Sequence, residues 1–130
     1  MAEHVVVAAV LMNEGKILLC HRSPVREWFP GVWDFPGGHI EPGETPLGAL
    51  TRELDEEIGV QVPQFRSTPL IEKIGDNLDL TVWVCTSWRG TVENRQPQEH
   101  DEINWFARED LPGLTMADPH YTMTLQGLLS

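Results

Sequence analysis

The sequence predicts an α+β domain in which helices pack on a mixed β-sheet. Three observations carry this. Short apolar segments rich in valine and leucine are separated by turns containing glycine, proline and asparagine. A strongly amphipathic segment at residues 45–59 interrupts them, and a second helical segment at 119–129 closes the chain. With 130 residues, 41% hydrophobic and 22% charged, the chain has the size and composition of a single domain, residues 1–130. A domain of that size can bury a core without disulfide or metal staples.

Each element has a local reason. Residues 5–12 are apolar and valine-rich, as in a buried strand. Asn13-Glu14-Gly15 is turn chemistry and residues 16–20 resume the apolar pattern, so the two segments are expected to form a hairpin. Residues 23–32, with Pro24, Pro30 and Gly31, read as a loop, and Trp33-Asp34-Phe35 is a short extended piece leading into Pro36-Gly37-Gly38. Thr45 is a good helix N-cap and Pro46 suits the first helical position. Leu47, Leu50, Leu54 and Ile58 recur at helical spacing, and Gly59 is a natural stop. Phe65 to Ile74 and Leu78 to Trp88 are expected strands around Gly75-Asp76-Asn77, Glu102 to Phe106 is another, and Pro119 to Leu129 is the closing helix.

The net charge of −11 argues against a protein that clamps a nucleic-acid polymer, which needs a basic stripe. The acidity fits either an ordinary soluble surface or a site where carboxylates share a divalent metal, and composition leaves both open. Cys20 and Cys85 lie far apart in apolar runs without a CxxC pattern, so two reduced, buried thiols are expected rather than zinc or a redox pair. Met1-Ala2-Glu3-His4 lacks the basic start of a signal peptide, and no apolar run approaches the ~18 residues of a membrane helix. The expected location is the cytoplasm, away from membranes.

The central helix carries an electrostatic conflict. At ~100° per residue, with Leu50 at zero, the apolar side chains span roughly 0° to 80°. Glu57 falls near about −20°, Glu53 near about −60° and Glu56 near about −120°, one arc beside the buried stripe. Arg52 and Asp55 are expected nearer solvent. Like charges at this spacing repel, and these sit toward the negative end of the helix dipole. A solvated acidic face with Arg52 as local partner is one resolution. A divalent cation is another, because Mg²⁺ takes carboxylate oxygens and bridges to phosphates.

The segment Gly38-His39-Ile40-Glu41-Pro42-Gly43-Glu44-Thr45-Pro46-Leu47-Gly48-Ala49-Leu50-Thr51-Arg52-Glu53-Leu54-Asp55-Glu56-Glu57-Ile58-Gly59-Val60 resembles a complete Nudix box: glycine, five residues, glutamate, seven residues, then Arg-Glu-apolar-any-Glu-Glu-any-Gly-apolar. Every constrained position is filled, which makes the match specific. Phe35-Pro36-Gly37 before the box and Trp105-Phe106 late in the chain extend the likeness. The resemblance implies the Nudix fold, a mixed sheet between helices in an α/β/α sandwich, with the box at 38–60 as loop–helix–loop.

The resemblance also implies chemistry: Mg²⁺-dependent attack of water on a pyrophosphate, with Mn²⁺ as a substitute ion. Glu53, Glu56 and Glu57 would bind metal, Gly38 would offer its backbone carbonyl, and Arg52 would orient a neighbouring glutamate. Glu44 would support the loop. Glu53 is the first choice of general base; Glu99 and Glu102, in Glu99-His100-Asp101-Glu102, are candidates for an added ligand or base. The implied partner is a nucleotide or other nucleoside diphosphate-linked small molecule, and the family also admits a homodimer.

The box sets the reaction and not the substrate. Residues 18–38 partly resemble a coenzyme A pyrophosphatase motif but carry Cys20 for threonine and Glu27 for arginine. The proline of ADP-ribose hydrolases is replaced by Gly75-Asp76, and the tyrosine of dinucleoside polyphosphate hydrolases by Asp76-Asn77-Leu78. What remains looks like the MutT branch, which converts nucleoside triphosphates to monophosphate and pyrophosphate. Asp118 stands where that branch reads oxidised guanine with asparagine, and an aspartate cannot donate an amide N–H. His39, Trp83, Trp105 and Asp118 are the candidate substrate-binding residues. Hydrolysis of another diphosphate (coenzyme A, a nucleotide sugar, ADP-ribose or a dinucleotide) and a non-catalytic nucleotide-binding module remain the alternatives.

Overall fold

The computed structural model describes residues 4–130, so the expectation about a signal peptide at Met1–Glu3 lies outside the described residues. The elements run β1 (His4–Asn13), β2 (Lys16–Arg22), β3 (Trp33–Asp34), β4 (Gly37–His39), α1 (Pro46–Ile58), β5 (Ile71–Ile74), β6 (Leu78–Cys85), β7 (His100–Ala107), a 3-10 helix (Arg108–Gly113) and α2 (His120–Leu128). The expected hairpin is present, but β1 and β2 pair only at their turn, Met12 with Ile17 and Asn13 with Lys16. Beyond that they part, and the chain from Trp33 to His39 fills the gap. β3 pairs antiparallel with β2, and β4 pairs antiparallel with β1 through Val6–His39, Val7–Gly38 and Ala8–Gly37. On its other edge β1 runs parallel to β6, and β7 pairs with β2. The glycine-rich segment is thereby lodged in the middle of a mixed sheet.

Period-two alternation along β1 sends side chains to both faces. Val7, Ala9 and Leu11 join Leu50, Leu54, Ile58 and Val60 beneath α1. Ala8 and Val10 join Phe35, Leu111, Tyr121 and Leu125 beneath α2 and the 3-10 helix. The sheet is therefore packed between helices, as expected. Thr45 caps α1, its Oγ1 accepting from the Gly48 N–H at 3.0 Å, and Gly59 ends it at φ 74°. Cys20 and Cys85 are buried free thiols. No helix among the described residues is long and apolar enough to cross a membrane.

Several boundaries differ from expectation. The strand expected from Phe65 is confined to Ile71–Ile74, because Pro69 has no N–H to give a ladder and Phe65 packs against the core beneath α1. The next strand ends at Cys85 instead of Trp88, while the one expected at Glu102 begins at His100. Leu47 is 37% exposed and is not part of the buried stripe, which Ala49 joins instead. Gly37–His39 is a strand although glycine disfavours strands, because the divergence of β1 and β2 leaves a ladder for it. Leu54 is completely buried between α1 and the sheet. Leu54→Ala is expected to lower the unfolding free energy by about 2–5 kcal/mol in urea titrations. A loss below about 0.5 kcal/mol, the size of an ordinary surface change, would contradict the packing described.

Candidate active site

α1 is pinned against β4 by its C-terminal carboxylate. Glu57 is 4% exposed. Its Oε2 accepts the Gly37 N–H at 2.9 Å, and its Oε1 lies 2.9 Å from Nε2 of His100, which is 3% exposed. Burial pushes the Glu57 carboxyl up to about 7, against the opposing pull of His100. Four residues earlier on α1, Glu53 turns to the same side, and burial raises its pKa as well, against the hydrogen bond from Arg52. Gly38 faces Glu53 so closely that an added Cβ would lie 2.6 Å from the carboxylate carbon. At Gly37 a Cβ would meet the Val7 carbonyl oxygen at 2.1 Å. Glycine is therefore required at position 37, and a side chain at position 38 would displace the Glu53 carboxylate.

Arg52 is a quarter exposed, on the side its helical angle implies, and is also the hub of the box. Its Nε and Nη2 donate to the two oxygens of Glu44 at 2.8 and 2.9 Å, its Nη1 donates to Glu53 at 2.9 Å and Glu56 at 3.3 Å, and Nη2 reaches the His39 carbonyl at 3.2 Å. The Arg52 hydrogen bond holds Glu44 at about 2, so Glu44 is a permanent anion. Its Oε1 also accepts the Glu41 N–H at 2.9 Å, closing the loop before α1. One guanidinium thus ties loop and helix together.

Glu53, Glu57, Glu99, His100, Gly37, Gly38 and His39 line one cavity of about 270 Å³ together with Arg22, Arg26, Phe35 and Glu41. Ligand atoms of Glu57, Glu99 and His100 come within 4.8 Å of one another, a grouping that could hold a metal ion. The donor set is rich in hard carboxylate oxygens, and the space above Gly38 is space that any side chain there would fill; both suit a small divalent cation. Arg22 and Arg26 bring positive charge to the same cavity, a pairing of carboxylates and guanidinium groups suited to a metal-bound phosphate. Arg22 also holds the 23–32 loop, its Nη2 donating to the Trp28 carbonyl at 2.7 Å and its Nε to that of Phe29 at 3.1 Å.

Not every predicted site residue joins this cavity. Glu56 is half exposed and held on Arg52, off the lining. Glu102 is exposed on β7 opposite His21, so of the two loop acids only Glu99 lines the cavity. Trp83 packs against the core beneath α1, and Trp105 stacks on Trp88 at 6.0 Å beside a separate cavity that includes Asn13 and Val92. Asp118 sits before α2, tied to Lys73 at 2.9 Å and to the His120 backbone at 2.9 Å. Arg22, Arg26 and His100 were not singled out from sequence. The available signal was small: cations flanking a strand end, and a histidine next to Glu99.

Glu57 titrates at 4.5 when solvated and at about 7 here. Folding favours its protonated form, so its contribution to stability is complete below about pH 4.5 and lost as pH rises through about 7. Glu57→Gln is therefore expected to gain stability relative to the parent chain between those limits when metal is chelated. Thermal unfolding of both proteins across the range checks this, and parallel pH profiles would contradict it.

Comparison with known proteins agrees with this architecture. The family model for the NUDIX domain matches residues 2–126. The CTP pyrophosphohydrolase of Escherichia coli is 36% identical over 81% of this chain and 76% of its own length. The nucleoside triphosphatase NudI of an Enterobacter species is 31% identical over 99% of this chain and 100% of its own. Among solved structures, the MutT NUDIX hydrolase of Burkholderia pseudomallei superposes with a TM-score of 0.78 at 27% identity, over 95% of each chain. With the box folded around a carboxylate-lined cavity and the domain matched almost end to end, the chain belongs to the Nudix hydrolase family.

Proposed function

We propose that this protein hydrolyses a nucleoside triphosphate to the monophosphate and pyrophosphate, using Mg²⁺, for which Mn²⁺ can substitute. The observation that carries the reading is the single cavity in which Glu53, Glu57 and Glu99 face Arg22 and Arg26. The names of the relatives, a CTP pyrophosphohydrolase and a nucleoside triphosphatase, support the substrate class. Glu53, Glu57, Glu99 and the Gly38 carbonyl would hold the metal, with Glu56 adding negative charge from the Arg52 side. Such an ion shields phosphate oxygens and lowers the pKa of a water bound to it.

The chain's own groups do the remainder. Arg22 and Arg26 bind the polyphosphate and orient it. Glu53, which lines the cavity, takes the proton from the attacking water. The new bond joins water oxygen to the α- or β-phosphorus, the P–O bond of the α–β bridge to that phosphorus breaks, and the electron pair stays on the bridging oxygen of the departing pyrophosphate or nucleoside monophosphate. His39, which also lines the cavity, would contact the substrate.

Product analysis by chromatography tests this with Mg²⁺ and a panel of nucleoside triphosphates, ADP-ribose, coenzyme A and a dinucleoside tetraphosphate. Monophosphate plus pyrophosphate from triphosphates, abolished by EDTA, is the expected result. Cleavage confined to a capped diphosphate would overturn the substrate, and binding without cleavage would indicate a nucleotide-binding module. Glu57→Gln is expected to reduce kcat by at least ~10²-fold, the scale of losing a main electrostatic group. Arg26→Ala is expected to raise KM about tenfold, the scale of one charge-assisted hydrogen bond.

A further inference from the structure

We propose that His100 is a positioning residue for Glu57, fixing the direction in which that carboxylate presents its free lone pairs to the metal. The inference rests on the metal-dependent reading above and adds a residue outside the box. A carboxylate held at one oxygen can still swing about its terminal torsion. Glu57 is held at both: Oε2 by the Gly37 N–H of β4 and Oε1 by Nε2 of His100 of β7, each at 2.9 Å. These partners come from different strands, so neither can follow the carboxylate if it rotates.

Two further observations show that His100 is built into place. Pairing of β2 with β7 is regular from Lys16–Ala107 to His21–Glu102, then shifts so that Arg22 lies opposite His100. Asp101 is the extra residue of this bulge, and bulges beside active sites re-aim side chains. Without it, Asp101 and not His100 would face Arg22. The His100 backbone is tethered as well, its carbonyl accepting from Asn94 Nδ2 at 2.7 Å and its N–H donating to the Gln96 carbonyl at 2.9 Å.

The chemistry of the imidazole agrees. An ionised Glu57 requires a donor at Oε1, which places the proton on Nε2 and leaves Nδ1 as a bare lone pair. Nδ1 is buried with no partner among the described residues. A side chain present only to fill space would be apolar and would avoid that cost. Partners that orient metal-binding groups typically change metal affinity about 10–100-fold when removed.

The test is Mn²⁺ binding to the substrate-free protein, read by the EPR signal of free Mn²⁺, in H100N, H100Q and E57Q beside the parent chain. Gln carries its amide nitrogen near the reach of Nε2, and Asn falls short. H100N is expected to bind Mn²⁺ about 10–100-fold more weakly and to lose kcat with little change in KM, while H100Q retains most of both. Binding by H100N equal to the parent, or equal losses in H100N and H100Q, would overturn the proposal. If E57Q keeps parental Mn²⁺ affinity, the metal-site reading itself fails, an outcome distinct from failure at His100. In the parent protein saturated with Mg²⁺, which favours the ionised Glu57, ¹⁵N-histidine spectra are expected to show the His100 proton on Nε2, and a proton on Nδ1 with none on Nε2 would equally overturn it.

Discussion

Glu57 is a carboxylate that the fold has taken out of water and then clamped at both oxygens. A buried ionisable group without partners is strongly unfavourable. Here the partners come from β4 and β7, which reach the same point only because β1 and β2 separate and admit the Trp33–His39 segment between them. The sheet topology, the paired glycines and the packing of α1 are all conditions for placing that one side chain at the floor of the cavity.

The rest of the box distributes the charge this creates. Acids crowded toward the C-terminal half of a helix repel each other and its dipole. Arg52 offsets part of this by binding Glu44, Glu53 and Glu56 together, and it keeps Glu44 anionic at the helix entrance. The buried end, with Glu53 and Glu57, has raised pKa values from desolvation and faces the cavity. Such a site holds its carboxylates ready at some expense of stability, the arrangement expected where a cation is to complete the set.

How much of this was legible in the sequence depended on whether the information was local. Thr45, Pro46 and Gly59 mark α1, and its acids could be placed by angle alone, because caps and periodicity are properties of neighbouring residues. The Asn13–Gly15 hairpin was equally local. What could not be read was pairing across the sheet. Glu99 and Glu102 are equivalent by sequence, but Glu99 sits in the turn before β7 and lines the cavity, while Glu102 lies on β7 opposite His21. Trp105, a candidate nucleotide contact by sequence, stacks on Trp88 on the α1 side of the sheet, away from the carboxylate cavity. Arg22, Arg26 and His100 enter the site only when β2, its following loop and β7 are brought together, and Pro69 ended a strand that apolar pattern alone had extended to Phe65.

In the proposed reaction Glu53, Glu57 and Glu99 of the cavity, and not the acids Glu41, Glu44 and Glu56 around Arg52, would hold the metal. A crystal structure of the protein grown with Mn²⁺ and a non-hydrolysable nucleoside triphosphate, with anomalous data collected at the manganese edge, tests it most directly. The expected result is an anomalous peak within bonding distance of Glu57 and Glu53, with phosphate oxygens completing the coordination and Arg22 and Arg26 on the polyphosphate. Manganese found only on Glu41, Glu44 or Glu56, with the Glu57–His100 floor bare, would contradict it.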